Sequence, residues 1–188
     1  MRGWVKRKNN HRKILPHNKV KLIEIILVGL AVIAGYTDWR WRKIFNWTTF
    51  SAIVLGFGLN FVFYHWAGLK QTGIAVGIIF LMVFPLVYFD IFGPGDAKLL
   101  MAIAALRGWE FSLYSLMYGA IVAGGAMAVI LIIHKKVSVA FNNIKQIFLG
   151  FILQREPVKI NSALPPVPFG LFVSIGVILR LAEIYFIR

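Results

Sequence analysis

The chain has 188 residues, a formal net charge of +14 and no cysteine, and 59% of its residues are hydrophobic. A soluble domain of this size cannot hide so much apolar surface, so the composition indicates a multi-pass membrane protein. The lack of cysteine excludes disulfides, thiolate catalysis and cysteine-ligated metals. The positive charge is typical of membrane topology and attraction to anionic lipid headgroups, and it argues against nucleic-acid binding because the basic residues lie on tails and short loops.

Apolar runs along the chain predict an all-α fold with six transmembrane helices. The predicted spans are 22–37, 47–64, 72–92, 97–106, 111–133 and 165–187. A basic tail over residues 1–21 precedes them, and the membrane-embedded domain takes up residues 22–188. The fourth run is short, since even a helix over 94–109 covers only about 24 Å of a hydrocarbon core of ~30 Å. Either this helix begins below the membrane surface or the bilayer thins around it.

The longest connection, residues 134–164, predicts an amphipathic helix on the membrane surface. Apolar residues recur in it at helical spacing and polar residues lie between them. The apolar positions are Val137, Ala140, Phe141, Ile144, Ile147, Phe148, Phe151 and Ile152. The basic residues of this connection and of loop 38–46 indicate the cytoplasmic side of the membrane. The basic tail would then lie outside, so its charge contradicts that of the internal loops.

Two aspartates lie just after apolar runs, at positions that place both on the same side of the membrane. Asp38 follows the first predicted span, and Asp96 follows the third span behind Gly93 and Gly95. A carboxylate at membrane depth is costly and usually functional. Two carboxylates that share a proton can act as an aspartic protease, because one draws a proton from water while the other polarises the peptide carbonyl. The glycines would let a substrate strand approach, and Lys98 would steady negative charge or reach the headgroups.

Several alternatives remain open from the residues alone. A single Asp at a helix end commonly caps the helix and does nothing else. Asp90 could partner Asp96 as in presenilin-type proteases, although six residues on one chain leave little room for a substrate. A small proton or ion transporter could use the same carboxylates, but they lie at one membrane face and no inverted repeat is visible. Three glutamates near span ends are interpreted as interfacial: Glu24, Glu110 and Glu183.

The motifs around the two aspartates resemble those of the prepilin peptidases, the membrane aspartic proteases that process type IV pilins. The matching segments are 36–46 (YTDWRWRKIFN), 93–100 (GPGDAKLL) and Pro168-Phe169-Gly170. The resemblance covers residues 22–187 and implies an aspartic endopeptidase with Asp38 and Asp96 as its catalytic pair. It implies supporting roles for Gly93, Gly95 and Lys98, and no cofactor or metal.

The resemblance also implies the substrate and the location. The substrate would be a prepilin, pseudopilin or preflagellin with a short basic leader, cut after a Gly that precedes an apolar helix. Cleavage would occur at the cytoplasmic face of the cell membrane, with membrane lipids as the other partner and no nucleic acid.

Two departures from the family pattern stand out. Phe45 replaces the usual proline, which leaves the turn in question. The Cys-x-x-Cys pairs of many members are missing, so we expect the short peptidase-only form without methyltransferase activity.

Overall fold

A computed structural model describes residues 17–89, 92–133 and 168–186, and every regular element in these ranges is an α-helix. The helices are α1 His17–Trp41, α2 Asn46–Tyr88, α3 Pro94–Arg107, α4 Trp109–Ile133 and α5 Phe169–Phe186. The predicted all-α fold class is therefore confirmed for the described part of the chain.

Four of the described helices are long and apolar enough to cross a membrane: α1, α2, α4 and α5. The predicted count of six spans is not confirmed. The second and third predicted spans form one element, α2, and the fourth corresponds to α3, which has only 14 residues. The predicted surface helix falls in 134–164, outside the described residues.

Helix α2 folds back on itself at His65. A straight helix of 43 residues would be about 65 Å long, roughly twice the hydrocarbon thickness. His65 has a non-helical backbone, with φ 54° and ψ −141°, and a side chain on Gly68 would overlap the carbonyl oxygen of Asn60. Asn46 at the start of α2 lines the same cavity as Gly93, which follows its end. Both ends of α2 therefore lie at one end of the bundle.

Helix α3 lies at the centre of the bundle. It contacts all four other helices, and seven of its 14 residues are buried. Its length of about 21 Å is less than the hydrocarbon thickness of ~30 Å. Its buried residues all lie within 99–106, whereas Gly93 and Pro94 at its start are exposed.

Helices α4 and α5 pack with their backbones in contact, because glycines face each other between them. A Cβ added at Gly119 would lie 2.7 Å from the carbonyl oxygen of Phe172, and one at Gly176 would overlap the carbonyl oxygen of Ser115. Small residues commonly allow such close approach between membrane helices. The contact fixes α5 lengthwise against α4, and so it fixes the position of the first turn of α5.

A polar cluster joins α1, α3 and α5 at the ends that lie away from Asp38 and Asp96. The Arg107 guanidinium lies 3.0 Å from Glu24 Oε1, and the Tyr185 hydroxyl donates to Glu24 Oε2. Glu24 is only 7% exposed. Its two partners therefore bury it between the helices, a pairing that its interpretation as an interfacial residue did not include.

Candidate active site

Asp38 lies inside the last turn of α1 and not after it. The predicted span ends at Thr37, whereas α1 continues to Trp41. The helix stops after Trp41 because the next residue, Arg42, has a φ of 53°. The N–H of Arg42 donates to the carbonyl oxygen of Asp38 at 2.9 Å. The predicted start of the basic loop, at Asp38, is therefore wrong, since the connection between α1 and α2 begins at Arg42. The carboxylate projects from a regular helix, and Asp38 is 7% exposed.

The first turn of α5 holds the Asp38 carboxylate. The N–H of Leu171 donates to Asp38 Oδ2 at 3.0 Å, and a carboxylate is favoured there by the free N–H groups and the positive end of the helix dipole. A Cβ added at Gly170 would lie 3.1 Å from Asp38 Oδ2. The glycine of the Pro-Phe-Gly segment is therefore what lets the α5 backbone approach the carboxylate.

Asp96 is the third residue of α3, after Pro94 at the first position, where proline is well tolerated. Gly93 is the N-cap residue and has no side chain to cap the helix. The Asp96 carboxylate instead accepts a hydrogen bond from the N–H of Gly93, as the third residue of a capping box does. Asp96 is thus not the N-cap residue, but its carboxylate provides the hydrogen-bond acceptor for the backbone N–H of Gly93 at the helix start.

Asp38 and Asp96 line one cavity of about 500 Å³, although 58 positions separate them in the sequence. The rest of the lining comes from residues 42–46, 93–95 and Lys98. Burial and, after it, the charge of Asp38 together raise the pKa of Asp96 from 3.8 to about 6, against the lowering effect of the hydrogen bond from Gly93. Asp96 lies outside the candidate membrane helices. Two coupled carboxyls of this kind can share one proton.

Gly95 and Lys98 bring the start of α3 close to the connection between α1 and α2. A Cβ added at Gly95 would lie 3.3 Å from the Cβ of Ile44. The ammonium group of Lys98 donates to Asn46 Oδ1 at 2.9 Å and lies 5.6 Å from the ring centroid of Phe50. Lys98 therefore ties α3 to the first turn of α2, a contact that neither of its predicted roles includes.

Phe45 keeps the turn that a proline would form. It precedes α2 as the N-cap residue with φ −71° and ψ 132°, and the proline ring fixes φ near −65°. The N–H groups of Thr48 and Thr49 donate to its carbonyl oxygen. The backbone at Phe45 is therefore one that proline can also adopt.

The structure brings together most of the residues that the sequence singled out. Asp38, Asp96, Gly93, Gly95 and Lys98 all line the same cavity. Asp90, the rival partner, lies outside the described residues. In the described ranges, no group of three or more His, Cys, Asp or Glu could hold a metal ion. Sequence reasoning missed the role of residue 171, because a backbone N–H leaves no trace in the residue type.

A family model described as the type IV leader peptidase family matches residues 25–129, more than half of the chain. The matched range contains both aspartates, Lys98 and helices α2 and α3 in full. Comparisons with curated proteins and with solved structures gave no match.

Proposed function

The chain belongs to the type IV leader peptidase family, and on that premise we propose that it is an aspartic endopeptidase with Asp38 and Asp96 as its catalytic pair. Family membership makes it a protease. The observation that supports the aspartic mechanism is the meeting of the two carboxylates in one cavity, each fixed by a backbone N–H at the start of a helix.

The surroundings of the two carboxyls suggest different roles in the reaction. Each carboxylate accepts one backbone N–H, Asp38 from Leu171 and Asp96 from Gly93. Because burial and the charge of Asp38 raise the pKa of Asp96, the proposal gives the shared proton to Asp96. Asp38 takes a proton from the attacking water while Asp96 donates its proton to the carbonyl oxygen of the peptide. When the carbon–nitrogen bond breaks, the proton on Asp38 passes to the leaving amine, and Asp96 recovers a proton from the hydroxyl that becomes the new carbonyl.

The substrate in this proposal is a prepilin-like protein with a short basic leader, cut after a Gly at the cytoplasmic membrane face. The family supports prepilin-type substrates in general. Arg42, Lys43 and Lys98 line the cavity, so the site does not attract a basic leader by charge. Capture instead relies on the apolar helix of the substrate, which partitions into the bilayer beside the enzyme. Replacing that helix with a polar one should abolish processing.

The decisive experiment uses Asp38→Asn and Asp96→Asn in membranes that contain a prepilin. We expect both variants to lose cleavage and to remain folded, because asparagine keeps the size of the side chain. Glu110→Gln is the matched control, since Glu110 is an exposed carboxylate at the start of α4. Asp90→Asn should cleave normally. Wild-type cleavage by either aspartate variant would contradict the pair, and proton flux in liposomes without any cleavage would favour a transporter.

A further inference from the structure

Two phenylalanine rings meet between the segments that fix the two carboxylates. The ring centroids of Phe92 and Phe169 lie 4.8 Å apart, with 56° between the ring planes. This spacing and tilt are typical of a favourable aromatic pair, which contributes more than the apolar area that it buries. Phe92 lies in the turn before α3, and Phe169 is the first residue of α5. The pair therefore connects the starts of these two helices directly.

Each ring lies next to a backbone N–H that binds one of the aspartates. Phe92 directly precedes the residue whose N–H donates to the carboxylate of Asp96. Phe169 is two residues before Leu171, whose N–H donates to Asp38 Oδ2 at 3.0 Å. The contact between the rings therefore constrains the distance between the two N–H donors, and these donors in turn hold the carboxylates.

The rest of the bundle holds each ring in place. The N–H of Phe92 donates to the carbonyl oxygen of Leu86 at 3.1 Å, so its backbone is fixed to the last turn of α2. Phe169 begins α5, which close backbone contact fixes lengthwise against α4. Both rings also pack against the buried apolar core. Because such packing leaves little room for movement, the ring contact limits how far the start of α5 can move from the start of α3.

We propose that the pair of Phe92 and Phe169 positions the two carboxyls against each other, by holding the starts of α3 and α5 at a fixed spacing. Both are positioning residues, since neither ring is among the residues that line the cavity. This inference rests on the proposed function, because it assumes that Asp38 and Asp96 act together. It goes further by assigning their spacing to two side chains that carry no reacting group.

The test measures kcat and KM of Phe92→Leu and Phe169→Leu on a prepilin in membranes. Leucine keeps an apolar side chain in each place and removes the ring contact. We expect kcat to fall by about tenfold, within the ~100-fold that a displacement of about 1 Å can cost, and KM to stay unchanged. The double variant should be no slower than the slower single variant, because both substitutions remove the same contact. Since each single variant tests this contact, one of them suffices if the other does not fold.

The pH profile of kcat separates positioning from a loss of folded protein. After burial, the charge of Asp38 is the second cause of the raised pKa of Asp96, so a wider spacing lowers that pKa. In the proposed mechanism Asp96 must carry a proton, and the alkaline limb of the profile should therefore move to lower pH in both variants. The other charged groups that line the cavity are Arg42, Lys43 and Lys98, and no variant changes them. A variant that is only less stable would keep the limb of wild type.

Phe80→Leu is the matched control, because Phe80 forms a similar ring pair with Phe84, at 5.3 Å within α2, and both rings are exposed. It should keep the kcat and the pH profile of wild type. Failure of the wild type to cleave would remove the proposed function and this inference together. Cleavage by the wild type, with unchanged kcat and pH profile in folded Phe92 and Phe169 variants, would overturn only the positioning role, as would losses in kcat that multiply in the double variant.

Discussion

Gly170→Ala should reduce catalysis much more than it reduces stability. The added methyl group would lie 3.1 Å from Asp38 Oδ2 and 2.6 Å from Ile44 Cδ1. The end of the Ile44 side chain can rotate away, whereas the carboxylate is held by the N–H of Leu171. The methyl group must therefore lengthen or break that hydrogen bond.

The expected magnitudes follow from these contacts. Overpacking costs about 1–3 kcal/mol, and alanine in a helix returns about 0.5–1 kcal/mol relative to glycine, so the net loss of stability is about 1 kcal/mol. A hydrogen bond to a charged group is worth about 1.5–3 kcal/mol. If all of this stabilisation is lost in the transition state, kcat falls by about 10–150-fold.

The assay measures prepilin cleavage and thermal unfolding of the same detergent-solubilised variants. Gly124→Ala is the control, because no described atom lies within 4 Å of a Cβ at Gly124, and we expect it to keep full activity. Gly176→Ala should instead unfold the bundle, since its methyl group would meet backbone at Ser115. Cleavage by Gly170→Ala at the rate of the Gly124 variant would refute the role of the α5 start in holding Asp38.

Three further predictions concern single contacts. The pKa of Asp96 is about 6 in the folded chain, above the ordinary 3.8, so its ionisation removes stability as the pH rises from below 3.8 through about 6. Asp96→Asn should therefore melt above wild type at pH 8, and the difference should disappear near pH 4. Glu24→Gln should cost about 3 kcal/mol in chemical unfolding, because it leaves Arg107 unpaired, and adding Arg107→Met should recover most of this loss. Phe45→Pro should keep wild-type cleavage and change stability by no more than about 1 kcal/mol, because φ at this position already suits proline.

The sequence predicted the helices and the two aspartates because their signals are local. Long apolar runs mark α1, α4 and α5, and the motifs around Asp38 and Asp96 need only short segments to be visible. The end of α1 could not be predicted, since no residue between Asp38 and Trp41 breaks a helix and the turn depends on the backbone of Arg42. Likewise, the pairing of Glu24 could not be predicted, since its partner Arg107 is 83 positions away and only the fold brings them together.

Polar contacts at both ends of the bundle determine how α1, α3 and α5 align lengthwise. Apolar packing between helices is non-directional, so it does not by itself prevent one helix from sliding along another. Leu171 joins α5 to α1 at Asp38, and Glu24 joins α1 to Arg107 of α3 and to α5 at the opposite end. Because these contacts restrain α5 at both its ends, they keep its first turn against Asp38. The geometry of the proposed catalytic pair therefore depends on Asp38 near one end of α1 and on Glu24 near the other, and of these two residues only Asp38 lines the cavity.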